Sequence, residues 1–462
     1  MGSVAHNSQA LISDGTRTLA RYIAAAADQP VPDAVVEKAK LHLLDTLAAM
    51  VSGSRLRAGL LATRYLQSLG GSGPCAVAGT RIKTGPVDAA LANGMMAHGD
   101  ETDDSHLGGR FHPGCGIIPC VLAAAEISGA SGMAVLRSVV LGYDIGARFN
   151  LSLGPRKLYA GGHSTHSVGP LFGGAAAAGA LMAFNEEQVR YLLSYTVQQA
   201  SGVQCWSRDE HHVEKAFDFG GMPARNAMSA ATMLAAAFTG VPDALAGPNN
   251  FFSAFSTDPR PELLWHELGE RFEIEQASIK KWCVGSPIQG AIDAVLALVD
   301  QHDLKPANLD RLLIELPDDR CELVNNRNMP NINVQHLVAL TLVDGGLTFD
   351  SSHDHARMDD PRVLEVRKKI ELKPNAQLTT ALPPRQVIMT AQLQNGQSHR
   401  HHAKAVRGTP DDPMDRIEVV AKAIDLMAPI LGLSQATQLA EHVMQLEKMP
   451  EAGALMGGLL AA

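Results

Sequence analysis

Aromatic side chains are scarce, with Trp, Tyr and Phe making up 5% of 462 residues. A chain with few large rings and abundant alanine and glycine fills its interior by bringing helices close together. Cysteine is scarce as well. The six thiols, Cys75, Cys115, Cys120, Cys205, Cys283 and Cys321, are scattered with no Cys-x-x-Cys pair, the usage of a cytoplasmic protein with reduced thiols. Basic residues are the minority, 39 against 48 acidic, giving a formal charge of −9 and no long basic stripe. That balance excludes the electrostatic footprint nucleic acid requires. No run of 18 apolar residues is free of polar punctuation, so no membrane-spanning helix is expected. Arg17 and Arg21 interrupt the apolar positions where a secretory signal would have its apolar stretch. No phosphate-binding loop, dinucleotide fingerprint, nucleophile elbow or kinase signature is present, and cofactor-independent chemistry is the economical inference.

What is present is periodicity and histidine. Val36, Ala39, Leu43, Leu44, Leu47, Met50 and Val51 recur at helical spacing, with Pro32-Asp33 as the start and Gly53 as the stop. Similar Ala-rich runs occupy 88–98, 117–130, 132–146, 170–184, 186–201 and 223–239, with Pro170 read as a first helical position. Near residue 275 the texture changes. After a helix opened by Ser286-Pro287 come strand-like stretches at Arg311–Leu316, Gln386–Leu393 and His399–Val406, the last two flanking Asn395-Gly396, a strong hairpin signal. The expected fold is therefore mainly α. A large all-helical domain (1–275 with 409–462) accompanies a smaller α/β domain (276–408).

The 18 histidines suggest chemistry. The densest polar cluster runs from His98 through Asp100, Glu101, Thr102, Asp103, Asp104 and Ser105 to His106, with His112-Pro113 following. It reads as a solvated loop with a helix cap, a metal site, or a catalytic segment; no recognised zinc spacing is met. A second cluster, Gly162-His163-Ser164-Thr165-His166, runs into an Ala-rich helix whose N-terminal N–H groups favour a carboxylate. A third surrounds His211-His212 and Lys215. The fourth, Lys280-Lys281 ahead of Ser286-Pro287 and Gln289, builds an anion-friendly corner from ammonium groups and a helix start.

Taken in order across 190 residues, these clusters resemble the MmgE/PrpD family, which includes 2-methylcitrate dehydratase, cis-aconitate decarboxylase and iminodisuccinate epimerase. The family segment H-A-x-D-F-D-D-T-H is similar to His98–His106, its G-F-H-x-T loop to Gly162–Thr165, and its two lysines fall on Lys215 and Lys280. Departures are Glu101 at the first acid, Thr102 at the phenylalanine, Ser105 at the threonine, and Gly285 and Ser286 where some branches carry Arg-His. The resemblance implies a helical domain, a smaller α/β lid, a site between them and a homodimer formed through the helical domain.

It also implies proton removal next to a carboxylate, with His112 and His163 as the acid/base pair and Lys215 and Lys280 holding carboxylates. Glu101, Asp103, Ser105, Lys281 and Gln289 become candidate substrate contacts. The expected activity is a dehydratase or hydratase acting on a small di- or tricarboxylate, without cofactor or metal. An isomerase or epimerase, a cis-aconitate-type decarboxylase and a carboxylate-binding protein are the alternatives. Loss of the Arg-His pair removes fixed cations and disfavours tricarboxylate substrates.

Overall fold

Residues 12–461 are described by a computed structural model. The chain divides into two compact units, the first comprising the stretch that ends at Gly99, Asp104–Ala277 and the residues from Ala423 onward. The second comprises Asp100–Asp103 and Ser278–Lys422. Four residues of the acidic segment thus belong with a unit whose remainder begins far along the chain. Helix dominates, and no helix among the described residues is long and apolar enough to cross a membrane.

The first unit is built on helices α1 (Asp33–Gly53), α2 (Pro86–Ala97), α3 (Gly114–Ser128), α4 (Gly132–Leu153), α5 (Thr165–Leu181), α6 (Glu186–Gln198) and α7 (Met222–Ala235). The sequence period marks one apolar face on α1, yet every residue from Ala39 to Gly53 is buried. It is a central helix, and its one buried cation, Lys40, is held by Glu447 at 2.7 Å and the Met444 carbonyl at 3.1 Å. Close packing explains how so few aromatic residues suffice. A Cβ on Gly173 would lie 2.3 Å from the Gly142 carbonyl oxygen, and one on Gly146 would lie 2.6 Å from that of Gly169, so α4 and α5 touch backbone to backbone.

Pro170 does not open α5. The helix begins five residues earlier, at Thr165, and Pro170 sits inside it, where the ring removes one rung of the hydrogen-bond ladder. Its Cβ packs where a side chain on Gly116 of α3 would otherwise be, 2.5 Å from that position. Packing against α3 therefore overrides the usual placement of proline.

The second unit carries a sheet of four strands, β1 (Leu309–Pro317), β2 (Ile370–Asn375), β3 (Val387–Leu393) and β4 (Ser398–Ala403), in the order β2-β1-β3-β4. β2 runs parallel to β1 and the other pairs are antiparallel. Leu312, Ile314 and Met389 from the sheet, Ile292, Val295 and Leu298 from α8 (Gln289–His302), and Leu337 and Val338 from α9 (Val334–Asp344) share one core. The β3–β4 hairpin closes with the Leu393 N–H donating to the Gln397 carbonyl at 2.8 Å. Its loop is thus three residues rather than two, with Gly396 at φ +84° supplying the left-handed position such loops require. His399 is stacked on His302 at 4.0 Å, and His399, His401 and His402 are all half-buried.

Candidate functional site

In the first unit four imidazoles gather around one phenyl ring. His98 ends α2 and His112 immediately precedes the Pro113 that leads into α3. His166 lies in the first turn of α5, and His212 sits at φ 55°, an uncommon backbone for a residue with a side chain. Ring centroids are 4.9 Å apart for His98–His112, 5.0 Å for His98–His212 and 5.4 Å for His112–His166. Phe219 stacks on His98 at 4.3 Å and on His166 at 3.7 Å. The Lys215 ammonium lies 5.2 Å from the Phe219 ring and 5.8 Å from Trp206. His98, His112 and His212 are buried and Lys215 is half-buried.

Local backbone delivers Phe219 to this position. Residues Phe217–Gly221 form a π-helical turn between the short helix Glu214–Ala216 and α7. Gly94 of α2 and Gly220 face each other so closely that a Cβ on Gly94 would lie 2.5 Å from the Gly220 oxygen. π-Turns recur at functional sites because they re-aim one side chain. Within the turn, Asp218 accepts a short hydrogen bond from the Ser164 hydroxyl. Burial pushes the Asp218 carboxyl up to about 7, with Ser164 working against that shift and Glu214 adding to it. The approach to Lys215 is shaped by Asp209, which accepts from the Lys215 N–H at 3.0 Å and the His211 N–H at 2.8 Å. Burial raises the Asp209 carboxyl, but these amides outweigh it and hold the group below its ordinary range.

His163 is not part of this gathering. It is exposed, and its ring is 6.0 Å from Phe255 while its carbonyl accepts from Gln204 at 2.9 Å. Three residues on, His166 occupies the clustered position. A loop motif marks a neighbourhood, but one helical turn separates the exposed ring from the one facing Phe219. Ser105 lies in the same unit with its hydroxyl buried and without a hydrogen-bond partner among the described residues.

Two of the motif's polar residues serve the fold. Asp104 accepts from Tyr143 at 2.5 Å, from the Gly114 N–H at 2.9 Å and meets His42 Nδ1 at 2.8 Å, all buried. His106 Nδ1 accepts from the Gly109 N–H at 2.9 Å, and its Nε2 donates to Glu273 at 3.1 Å.

The second unit holds the rest of the predicted residues. Lys280 Nζ donates to the Glu101 carbonyl at 2.8 Å and lies 3.4 Å from the Glu101 carboxylate and 3.7 Å from Asp103. Lys422 donates to the Thr102 carbonyl at 3.1 Å and the Lys280 carbonyl at 2.7 Å. Lys281 lies over the Trp282 ring at 5.1 Å. Gln289 spends its amide on backbone, accepting from Trp282 N–H at 3.0 Å and donating to the carbonyls of Trp282 at 2.7 Å and Val284 at 2.9 Å. It braces the 282–284 turn, so its amide is occupied by the fold.

One residue here escaped the sequence reading. His353 ends α10 (Phe349–His353) and lies 2.8 Å from Asp100. No local motif marks it, because its partner is remote in the chain.

Residues 17–264 match the MmgE/PrpD N-terminal domain and residues 282–448 match the MmgE/PrpD C-terminal domain. A cis-aconitate decarboxylase-like protein of Aspergillus oryzae is 25% identical over 75% of this chain and 77% of its own length. The human cis-aconitate decarboxylase is 23% identical over 74% and 73%, and that of Aspergillus terreus 27% identical over 41% and 39%.

Proposed function

The chain belongs to the MmgE/PrpD family, and on that premise we propose that it is a cytoplasmic lyase transforming a small di- or tricarboxylate by proton transfer next to a carboxylate. The observation that carries this reading is the group of four imidazoles with Lys215 around Phe219. Imidazole moves protons near neutral pH, and an ammonium in a partly dehydrated setting stabilises the dianionic charge that develops on the carboxylate. His112, backed by His166, is the candidate proton carrier. His163 is retained as a candidate on its motif alone. The Ser105 hydroxyl is a candidate donor to substrate oxygen, and Lys280, with Glu101 and Asp103 around it, a candidate carboxylate holder.

In a dehydration, a base removes the proton beside the carboxylate and the electron pair expels hydroxide, which leaves as water after taking a proton from an acid. In a decarboxylation, the carbon–carboxylate bond breaks instead, carbon dioxide leaves, and imidazolium protonates the carbon that retains the electron pair. The sequence favours the first. The names of the relatives support the second, since three of them are decarboxylases or decarboxylase-like.

Incubation with 2-methylcitrate, cis-aconitate and iminodisuccinate in deuterated water, followed by NMR, separates the outcomes. Loss of water, release of carbon dioxide or deuterium exchange at the carbon beside the carboxylate each identifies its reaction. Saturable binding with none of the three would replace the enzyme with a carboxylate-binding protein. The homodimer belongs to the same proposal, and sedimentation at twice the chain mass of 49.0 kDa is the expected result.

A further inference from the structure

The four residues Asp100–Asp103 form a strap that the second unit holds at three points. Lys280 takes the Glu101 carbonyl and Lys422 the Thr102 carbonyl. The third attachment is the Asp100 carboxylate on His353, and its geometry fixes a charge. His353 Nε2 is 2.8 Å from Asp100 Oδ2 and Nδ1 is 2.8 Å from the Phe349 carbonyl. Both partners are acceptors, and the Ser352 hydroxyl, 3.0 Å from Nδ1, gives its own proton to the Phe349 carbonyl at 2.8 Å. A neutral imidazole donates from one nitrogen only, so both contacts are made together only by the imidazolium. Asp100 is ionised for the same kind of reason. Its carboxylate accepts from the Thr102 hydroxyl at 2.6 Å and the Thr102 N–H at 2.9 Å.

We propose that His353 and Asp100 form a buried positioning latch that fixes the 100–103 strap and thereby the seat of Lys280. The latch lies within the second unit and reaches Lys280 through two peptide bonds. Opening it frees the Glu101 carbonyl, the shortest contact the Lys280 ammonium makes with the strap. The groups facing His353 are Asp100 from the strap, Asn331 at 3.4 Å from the turn before α9, and Phe349, Asp350 and Ser352 from its own helix. Burial lowers the affinity of the His353 ring for its proton, but Asp100, the Phe349 carbonyl and Asp350 outweigh it, and the net direction is upward. The latch is therefore closed below the elevated His353 value and loosens as pH rises through it. At the acid end it fails only when Asp100, held below its ordinary range, takes up a proton.

The test has a part that needs no turnover. Histidine-labelled NMR of the full chain is expected to show His353 doubly protonated at pH 7, and Asp100→Asn is expected to make it neutral there. Hydrogen exchange of the 100–103 amides at pH 7 is expected to accelerate roughly tenfold or more in His353→Gln and in Asp100→Asn, since a hydrogen bond between charged groups is removed. The double variant should exchange no faster than the faster single variant. A neutral His353 at pH 7, or unchanged exchange in a folded variant, overturns the latch; should His353→Gln not fold, near-isosteric Asp100→Asn decides.

The consequence for turnover rests on the proposed lyase reading. With whichever carboxylate reacts, both variants should raise KM more than they lower kcat, and His353→Lys should recover more activity below neutral pH than His353→Gln. If the carboxylate panel gives no reaction while the NMR and exchange results hold, the lyase reading fails and the latch stands.

Discussion

Two histidines that look alike in the sequence meet different partners. His106 receives an N–H on one nitrogen and meets Glu273 on the other, whereas His353 meets the Asp100 carboxylate on one nitrogen and the Phe349 carbonyl on the other. Neither pairing was legible in the sequence, because Glu273 and Asp100 are brought in from remote segments. What was legible was residue type: His112, Lys215 and Ser105 stood out in polar clusters that line up with the family's motifs. The sequence does not tell which ring one turn of helix places beside Phe219, as between His163 and His166. At this scale we expect His112→Ala and Lys215→Ala each to lower kcat/KM about 100-fold or more, the usual cost of losing a proton carrier or a charge stabiliser. Thermal unfolding midpoints should stay close to wild type, which separates chemistry from folding. Ser105→Ala should leave stability unchanged or raised by about 1 kcal/mol, since it removes a buried hydroxyl with no partner among the described residues. Its KM, measured on the reacting carboxylate, should rise.

Among the elements, the π-turn 217–221 concentrates several constraints in five residues. Gly94 and Gly220 allow α2 to touch it, Ser164 holds Asp218, and Phe219 backs two imidazoles. Gly94→Ala places a methyl against backbone that cannot yield cheaply. It should cost about 1–3 kcal/mol, seen as a lower unfolding midpoint, and should depress turnover by moving Phe219. Asp218 gives the turn a pH dependence of definite sign. Its native carboxyl titrates at about 7 against about 3.9 in an unfolded chain, so the native state binds the extra proton between those values. Stability contributed below pH 4 is lost as pH rises toward 7, at up to about 1.4 kcal/mol per unit. Asp218→Asn should flatten that slope in chemical denaturation measured from pH 4 to 8. Helices of period 3.6 were legible at α1 and in the Ala-rich runs between 88 and 239, although the burial of α1 on all sides was not, and α9 went unread. β2 escaped because only Ile370 and Leu372 mark its core face, both half-buried, before Lys373 and Pro374 break the alternation. Pro170 misled for the opposite reason, a strong local rule overruled by contact with α3.

For the molecule as a whole, the low aromatic content and the change of texture near residue 275 foreshadowed a helical unit and one containing a sheet. The attachment of Asp100–Asp103 to the second was hidden, since no local pattern tells which distant lysines a carbonyl will meet. Cysteine offers a global check. None of the six cysteines is in a disulfide; Cys75, Cys115, Cys120 and Cys321 are buried and Cys205 and Cys283 half-buried. Burial pushes the Cys75 thiol up to about 12, with Glu126 adding to the shift. An aromatic disulfide reagent at pH 8 should therefore titrate the two half-buried thiols before the four buried ones in the native protein, Cys205 slowed by its hydrogen bond to Glu214, which holds that thiol above its ordinary range. All six should react after denaturation, and reductant should not move the unfolding midpoint.

The path of the chain also limits how such a protein can be recombined. It passes between the units at 99/100, 103/104, 277/278 and 422/423, so no single cut on either side of one block separates them. A chimera that imports 278–422 from a relative pairs the newcomer's equivalents of Lys280, His353 and Lys422 with a strap inherited from the other parent. Exchange of the second unit between relatives is thus a two-piece graft, and its successful products should carry both pieces from one parent.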